Sequence, residues 1–278
     1  MAIVNRTPDS FYPAARHLGD RFDDAAALDA VDRVVDEGAD LVDVGGVRAG
    51  PGEEVDEDAE TRRVVPFVER LRERHRDLVV SVDTWRSGVA DRACAAGADL
   101  VNDTWAGHDP RLVEVAAAHG AGIVCSHTGG VAPRTLPHRV SYGSTPDGVV
   151  DAVVTSLRDA AARAVAAGVP SSGVLVDPTH DFGKNTWHSL ALLRGTPALV
   201  ELGYPVLMAL SRKDFVGETL DLPVDERLEG TLAATAVAAW LGATVFRAHD
   251  VAATRRVLDM VASVRGERPP ARAVRGLA

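Results

Sequence analysis

Apolar runs and polar stops alternate along this chain with a regular beat. Short runs rich in Leu and β-branched residues recur at 2–5 (AIVN), 41–46 (LVDVGG), 78–83 (LVVSVD), 99–103 (DLVND), 122–127 (GIVCSH), 173–177 (GVLVD), 205–210 (PVLMAL) and 244–249 (TVFRAH). Each has the length and composition of a buried strand. Between them lie Ala-rich stretches with helical spacing of apolar positions, as at 23–39, 149–168 and 230–243. Strand and helix alternating eight times is the sequence form of a (β/α)8 TIM barrel. The competing doubly wound sheet would carry a G-x-G-x-x-G turn after its first strand, and AIVN runs instead into NRTPDSF. No Pro- or Ser-rich linker divides the chain. The expectation is therefore one domain over 1–278, with the tail 266–278 lying on the surface.

In such a barrel the loops after the strands converge on one face, so chemistry is expected at the strand C-termini. Those positions carry Asn5, Asp43, Asp83, Asn102 with Asp103, His127, Asp177, the run Ser211-Arg212-Lys213, and Arg247 with His249 and Asp250. A single Asp or Asn there is an ordinary helix cap. The same polarity after every strand points to a site.

Composition excludes several classes. A hydrophobic content of 46% supports a large core, while a net charge of −10 argues against a broad basic face for nucleic acid. Cys94 and Cys125 form no disulfide framework, which fits a cytoplasmic setting. The most apolar stretch, 231–243, is too short to span a membrane.

The strand-end motifs carry a resemblance. NRTPDSF, SVDTWR (81–86), VNDTWAG (101–107), DPTHDFGKN (177–185), LSRKDFVG (210–217) and RAHDV (247–251) resemble, in order and spacing, the motif series of the dihydropteroate synthase family. That family is a (β/α)8 barrel, commonly a homodimer. It condenses 6-hydroxymethyl-7,8-dihydropterin pyrophosphate with p-aminobenzoate and releases pyrophosphate. The resemblance implies that Asp83, Asn102, Asp177, Phe182 and Lys213 bind the pterin and that Asn5, Arg247 and His249 meet the diphosphate. It further implies that Asn5 supplies the single protein oxygen for a Mg²⁺ ion, and that Asp83, Lys213 and Arg247 carry catalysis. Elementary chemistry agrees: a pterin edge alternates donors and acceptors, and each one buried without a partner costs about 1–3 kcal/mol.

Other stretches depart from the family's pattern. Its usual G-G-E-S-T-R-P-G reads GGVRAGPG at 45–52, so Ala49 and Gly50 replace a Thr and an Arg, and Arg48 sits two places early. Pro13 stands for an Asp, Thr179 and His180 for a Gly-Phe pair, and Ala209 for a Gly. The losses fall on the aminobenzoate and diphosphate loops, while the pterin-edge residues stay, as in a divergent paralogue. Two readings follow: a condensing transferase, or a pterin-binding protein with little or no condensing activity. The long loop 126–148, with Arg134, His138 and Arg139, reads as either a lid or a solvated loop. The acidic segment 50–60 reads as a solvated lead into a helix. A metal-hydrolase cluster of His127, His180, His249 and Asp177 lacks the H-x-H pair such barrels carry after strand one.

Overall fold

The computed structural model describes residues 1–7, 24–135, 140–143, 145 and 148–275. Pro13, His138 and Arg139 lie outside these residues. Eight parallel strands alternate with helices: β1 (Ala2–Asn5), β2 (Leu41–Gly45), β3 (Val79–Asp83), β4 (Leu100–Asp103), β5 (Gly122–Ser126), β6 (Val174–Asp177), β7 (Leu207–Met208) and β8 (Val245–Phe246). The helices are α1 (Asp24–Asp36), α2 (Glu57–Arg74), α3 (Ser87–Ala95), α4 (Leu112–His119), α5 (Gly148–Ala166), α6 (Thr186–Arg194), α7 (Thr196–Val200), α8 (Asp214–Leu220), α9 (Leu228–Trp240) and α10 (Val251–Val264).

Strands β1 to β6 form one sheet in sequence order, and β7 pairs with β8. Single bridges, Val176 with Val206 and Ala2 with Ala248, close the ring. The result is the TIM barrel read from the alternation. The last two strands are shorter than the six-residue runs suggested. Around them the ladder is carried by isolated bonds, including Val176 N–H to the Pro205 carbonyl and Arg247 N–H to the Met208 carbonyl.

The strands form because Val, Ile and Leu pack on both faces of a sheet wrapped in helices. Val42, Val44, Val80, Val82, Val101, Ile123, Val174 and Val176 are all buried, with Phe67, Leu71, Leu157 and Leu192 packed in the same core. Helix ends follow from the sequence as well. Gly38, Gly168 and Gly242, just past α1, α5 and α9, have φ of +98°, +107° and +108°. That left-handed stop costs glycine little and orients the chain toward the next strand. Asp56 caps α2 by accepting from the Ala59 N–H at 2.7 Å, so the acidic segment does lead into a helix with Glu57, Asp58 and Glu60 in its first turn. Beyond α10 the described residues hold no helix or strand.

Candidate active site at the strand C-termini

The polar strand ends meet in a charge network. Asp43, fully buried on β2, accepts from Ser81 Oγ at 2.6 Å, Asn102 Nδ2 at 3.0 Å and Arg247 Nε at 2.6 Å. Arg247 also donates through Nη2 to Asp83 at 2.9 Å, and Asp83 accepts from Thr104 Oγ1 at 2.9 Å. Asp43 lies two residues below the end of β2, so it holds the floor of the mouth, while Asp83 ends β3 at the rim. Burial pushes the Asp83 carboxyl up, Arg247 pulls it back, and Asp43 adds to the rise. Burial alone would depress the Arg247 guanidinium; Asp43 and Asp83 reverse that and raise it. Asn5 stands on the next strand. A Cβ placed on Gly45 would lie 3.8 Å from Asp83 Oδ2 and 3.9 Å from Asn5 Oδ1, so Asn5 and Asp83 flank one glycine.

A second cluster sits on the turn after β6. Asp177 is buried and accepts from the Thr179 N–H at 2.7 Å. Burial raises its carboxyl, and Lys213 works against that rise. Lys213 precedes α8 and donates to the His180 carbonyl; its Nζ also lies 5.0 Å from the Phe182 ring centre. Phe182 in turn meets the edge of Trp105 at 5.1 Å. A cavity of ≈ 410 Å³ opens beside Trp105, lined in part by His108, His127 and Gly129.

His249, after β8, shares a hydrogen bond with Ser211 Oγ at 2.9 Å and is depressed to about 3 by burial and by Arg247. It is neutral at ordinary pH, so it can offer a phosphate a hydrogen bond but no charge.

Asn5, Asp83, Asn102 and Arg247 thus come together on one side of the mouth, and Asp177, Phe182 and Lys213 on the other. His180 is turned away: its ring is fully buried against Phe215 at 5.5 Å, with neither nitrogen hydrogen-bonded. Among the described residues no three His, Cys, Asp or Glu side chains converge as a metal-binding group. In the β2 loop, half-buried Arg48 makes no hydrogen bond or ion pair with a described residue. Arg134 reaches from the β5 loop to the Gly50 carbonyl at 3.2 Å and the Glu53 carbonyl at 2.6 Å. The described part of that long loop is therefore tied to the β2 loop rather than simply solvated.

Sequence reasoning gave Asp43 no role beyond its position, although a lone acid inside LVDVGG is the signal of an inward-facing charge. Lys184, inside DPTHDFGKN, was given no role either. Lys184 is 2% exposed and donates to three carbonyls, of His127 (2.6 Å), Phe182 (2.7 Å) and Thr179 (3.1 Å), so it pins the β6 turn. Asp181 was passed over altogether.

The sequence profile described as "Pterin binding enzyme" matches residues 1–249. The chain belongs to this pterin-binding enzyme family. Within it the chain is 66% identical to the inactive dihydropteroate synthase 2 of Mycobacterium tuberculosis, over 278 residues that make up all of this chain and 86% of the relative. Among solved structures, the dihydropteroate synthase of Yersinia pestis in a sulfonamide drug complex superposes with a TM-score of 0.86 at 34% identity, covering 96% of this chain and 93% of the other. The Coxiella burnetii dihydropteroate synthase in complex with pteroic acid gives 0.84 at 30% identity, over 96% and 93%. A relative named inactive and structures of dihydropteroate synthases thus both resemble this chain, so its activity has to be argued from the site rather than from the fold.

Proposed function

We propose that this protein binds a pterin in the folate pathway and condenses it with p-aminobenzoate slowly or not at all. The carrying observation is the β2 loop: Ala49 and Gly50 stand where the family's pattern has a Thr and an Arg, and half-buried Arg48 makes no ion pair with a described residue. Arg247 would still anchor a departing diphosphate, from a guanidinium whose Nε and Nη2 already meet Asp43 and Asp83. The pterin half keeps its chemistry: Asp83, Asn102 and Asp177 offer fixed acceptors and an amide, and Lys213 stands over Phe182 as a donor. The relative named inactive supports the same reading.

Condensation would need Mg²⁺ to neutralise charge on the leaving oxygens. Mg²⁺ keeps most of its waters and asks one or two oxygens of a protein, which Asn5 Oδ1, across Gly45 from Asp83 at the mouth, fits. Asn5 would hold the ion, and His249 and Arg247 would face the diphosphate. A homodimer is supported by apolar side chains left on outer helices: Trp187 on α6 is 79% exposed, Leu220 on α8 47% and Trp240 on α9 55%. A cytoplasmic setting is supported by the free thiols of Cys94 and Cys125. No described helix is long and apolar enough to cross a membrane.

The test is titration calorimetry with a hydroxymethyl-dihydropterin, beside a turnover assay with the pyrophosphate, p-aminobenzoate and Mg²⁺. Asp177→Asn keeps an oxygen for the Thr179 N–H but turns its other atom from acceptor to donor. It should weaken pterin about thirtyfold or more, equivalent to about 2–4 kcal/mol. Unchanged affinity would remove the pterin assignment. Turnover near 1 s⁻¹, an ordinary enzyme rate, would overturn the condensation half.

A further inference from the structure

The turn after β6 holds two residues in a backbone region that side chains avoid. Thr179 has φ +53° and Asp181 φ +69°. For β-branched Thr179 this is a true outlier that the surroundings must impose, whereas an Asp visits the region more readily. At Asp181 the surroundings are explicit. Its carboxyl accepts from Ser189 Oγ at 3.1 Å and from the Phe215 N–H at 3.3 Å, and so ties the β6 turn to α6 and to the first turn of α8. Glycine would fit this backbone without strain, but it would bring no carboxylate.

Lys213 lies across the same turn: its Nζ donates to the carbonyl of His180, next to Asp181 in the chain, and Asp181 accepts from the N–H of Phe215, two residues past Lys213, with no ion pair closed between the two side chains. The charged and titratable groups around the Lys213 ammonium are Asp177 on β6, His180, Asp181 and Lys184 on the turn, Arg247 after β8, and Asp214 on α8. His180 is neutral, since burial holds its pKa well below the usual value. Burial also lowers the Lys213 ammonium, and Arg247 acts in the same direction; Asp181 is the largest influence against it, followed by Asp177.

We infer that Asp181 is a positioning residue for Lys213, holding its ammonium at the turn beside the His180 carbonyl so that it meets a ligand as a hydrogen-bond donor. The inference rests on the pterin-binding reading and deepens it. A site whose lysine is fixed as a donor takes a heterocycle that presents a carbonyl or an unprotonated ring nitrogen at this point, and rejects one that presents an N–H.

Asp181→Asn tests this with little disturbance, because an amide oxygen still accepts from Phe215 and an amide N–H can donate to Ser189 Oγ. The pH midpoint for modification of Lys213 by an amine-selective reagent, read by mass spectrometry, should fall by about one unit in Asp181→Asn. Asp181→Glu should recover at least half of that shift, and the exposed Asp214→Asn should move it less. Binding of hydroxymethylpterin, titrated from pH 6 to 10, should lose its high-pH limb earlier by the same amount. An unchanged Lys213 midpoint in a folded Asp181→Asn protein would overturn the inference. Should Asp181→Asn fail to fold, the Asp181→Glu and Asp214→Asn midpoints decide it: a larger shift in Asp214→Asn would overturn it. Absence of pterin binding in every variant would remove the functional reading, while the Lys213 midpoint would still decide the role of Asp181.

Discussion

Replacing Asp43 with Ala removes the one group that joins three strands at the floor of the mouth. The side chain is fully buried and its two oxygens serve Ser81, Asn102 and Arg247 at 2.6, 3.0 and 2.6 Å. Ala leaves the Ser81 hydroxyl and the Asn102 amide without this acceptor, at about 1–3 kcal/mol for each buried group. It also leaves Arg247 with Asp83 as its one remaining ion-pair partner, and stripping a partner from a buried pair costs about 3–5 kcal/mol. These losses overlap because Arg247 can lean further onto Asp83, so a total of about 3–5 kcal/mol is expected. With a urea slope near 3 kcal/mol per molar, the unfolding midpoint should drop by about 1 to 2 M. The diagnostic step is the double mutant. With Arg247→Ala already in place there is no cation to strand, and Asp43→Ala should then cost at least about 1.5 kcal/mol less. A single-mutant loss under about 1 kcal/mol, or strict additivity in the cycle, would refute the idea that Asp43 neutralises Arg247.

Three further outcomes are expected. Asp103 is buried, and although it accepts from the Trp105 and Gly107 N–H groups, burial raises its carboxyl to about 6. Between about pH 4 and 6 the folded state then holds a proton that the unfolded chain has released, so stability falls as pH rises through that window, by up to about 2–3 kcal/mol; Asp103→Asn should flatten this part of a stability-versus-pH curve. Gly183→Ala should cost at least about 2 kcal/mol in urea unfolding, because φ is +64° and the new Cβ would lie 1.9 Å from the Thr128 carbonyl oxygen. Grafting Val47→Glu, Arg48→Ser, Ala49→Thr and Gly50→Arg should raise dihydropteroate formation at least about tenfold with pterin affinity within about 1 kcal/mol of the parent. The loop can accept the graft, since Arg134 holds it through backbone carbonyls and the one side chain within 4 Å of a Cβ at Gly50, Arg48, is itself cut back to Ser.

The barrel was legible because its signals are local. Runs such as LVVSVD, with apolar residues ending on an acid, mark both a buried strand and its chemical end, and a glycine at 38, 168 or 242 marks where a helix must stop. The strand-end residues could be named for the same reason. Their mutual commitments could not. Asp43 and Arg247 are 204 positions apart and meet only because the barrel closes. Nothing in RAHDV tells that its arginine is already spent on two acids. Asp181 was invisible because its effect depends on a left-handed backbone and on a lysine from the loop after β7. The shortness of β7 and β8 was missed because apolar runs record burial, and burial extends past the residues whose ladder bonds are regular.

The closure of the ring divides the site's charges between two bodies. The six-stranded sheet carries Asp43, Asp83, Asn102 and Asp177, whereas Lys213 and Arg247 ride on the segment built around the β7–β8 pair, which joins the sheet through one bridge on either side. The Arg247 ion pairs are a latch that holds this β7–β8 panel to the sheet, alongside the backbone bonds that join Met1 and Ile3 to Phe246 and Ala248. A pterin spanning Asp177 and Lys213 would act as a second latch across the opposite seam. Ligand occupancy would then be felt as slower opening of the panel, so hydrogen exchange at Leu207, Met208, Val245 and Phe246 would report binding from the far wall of the barrel.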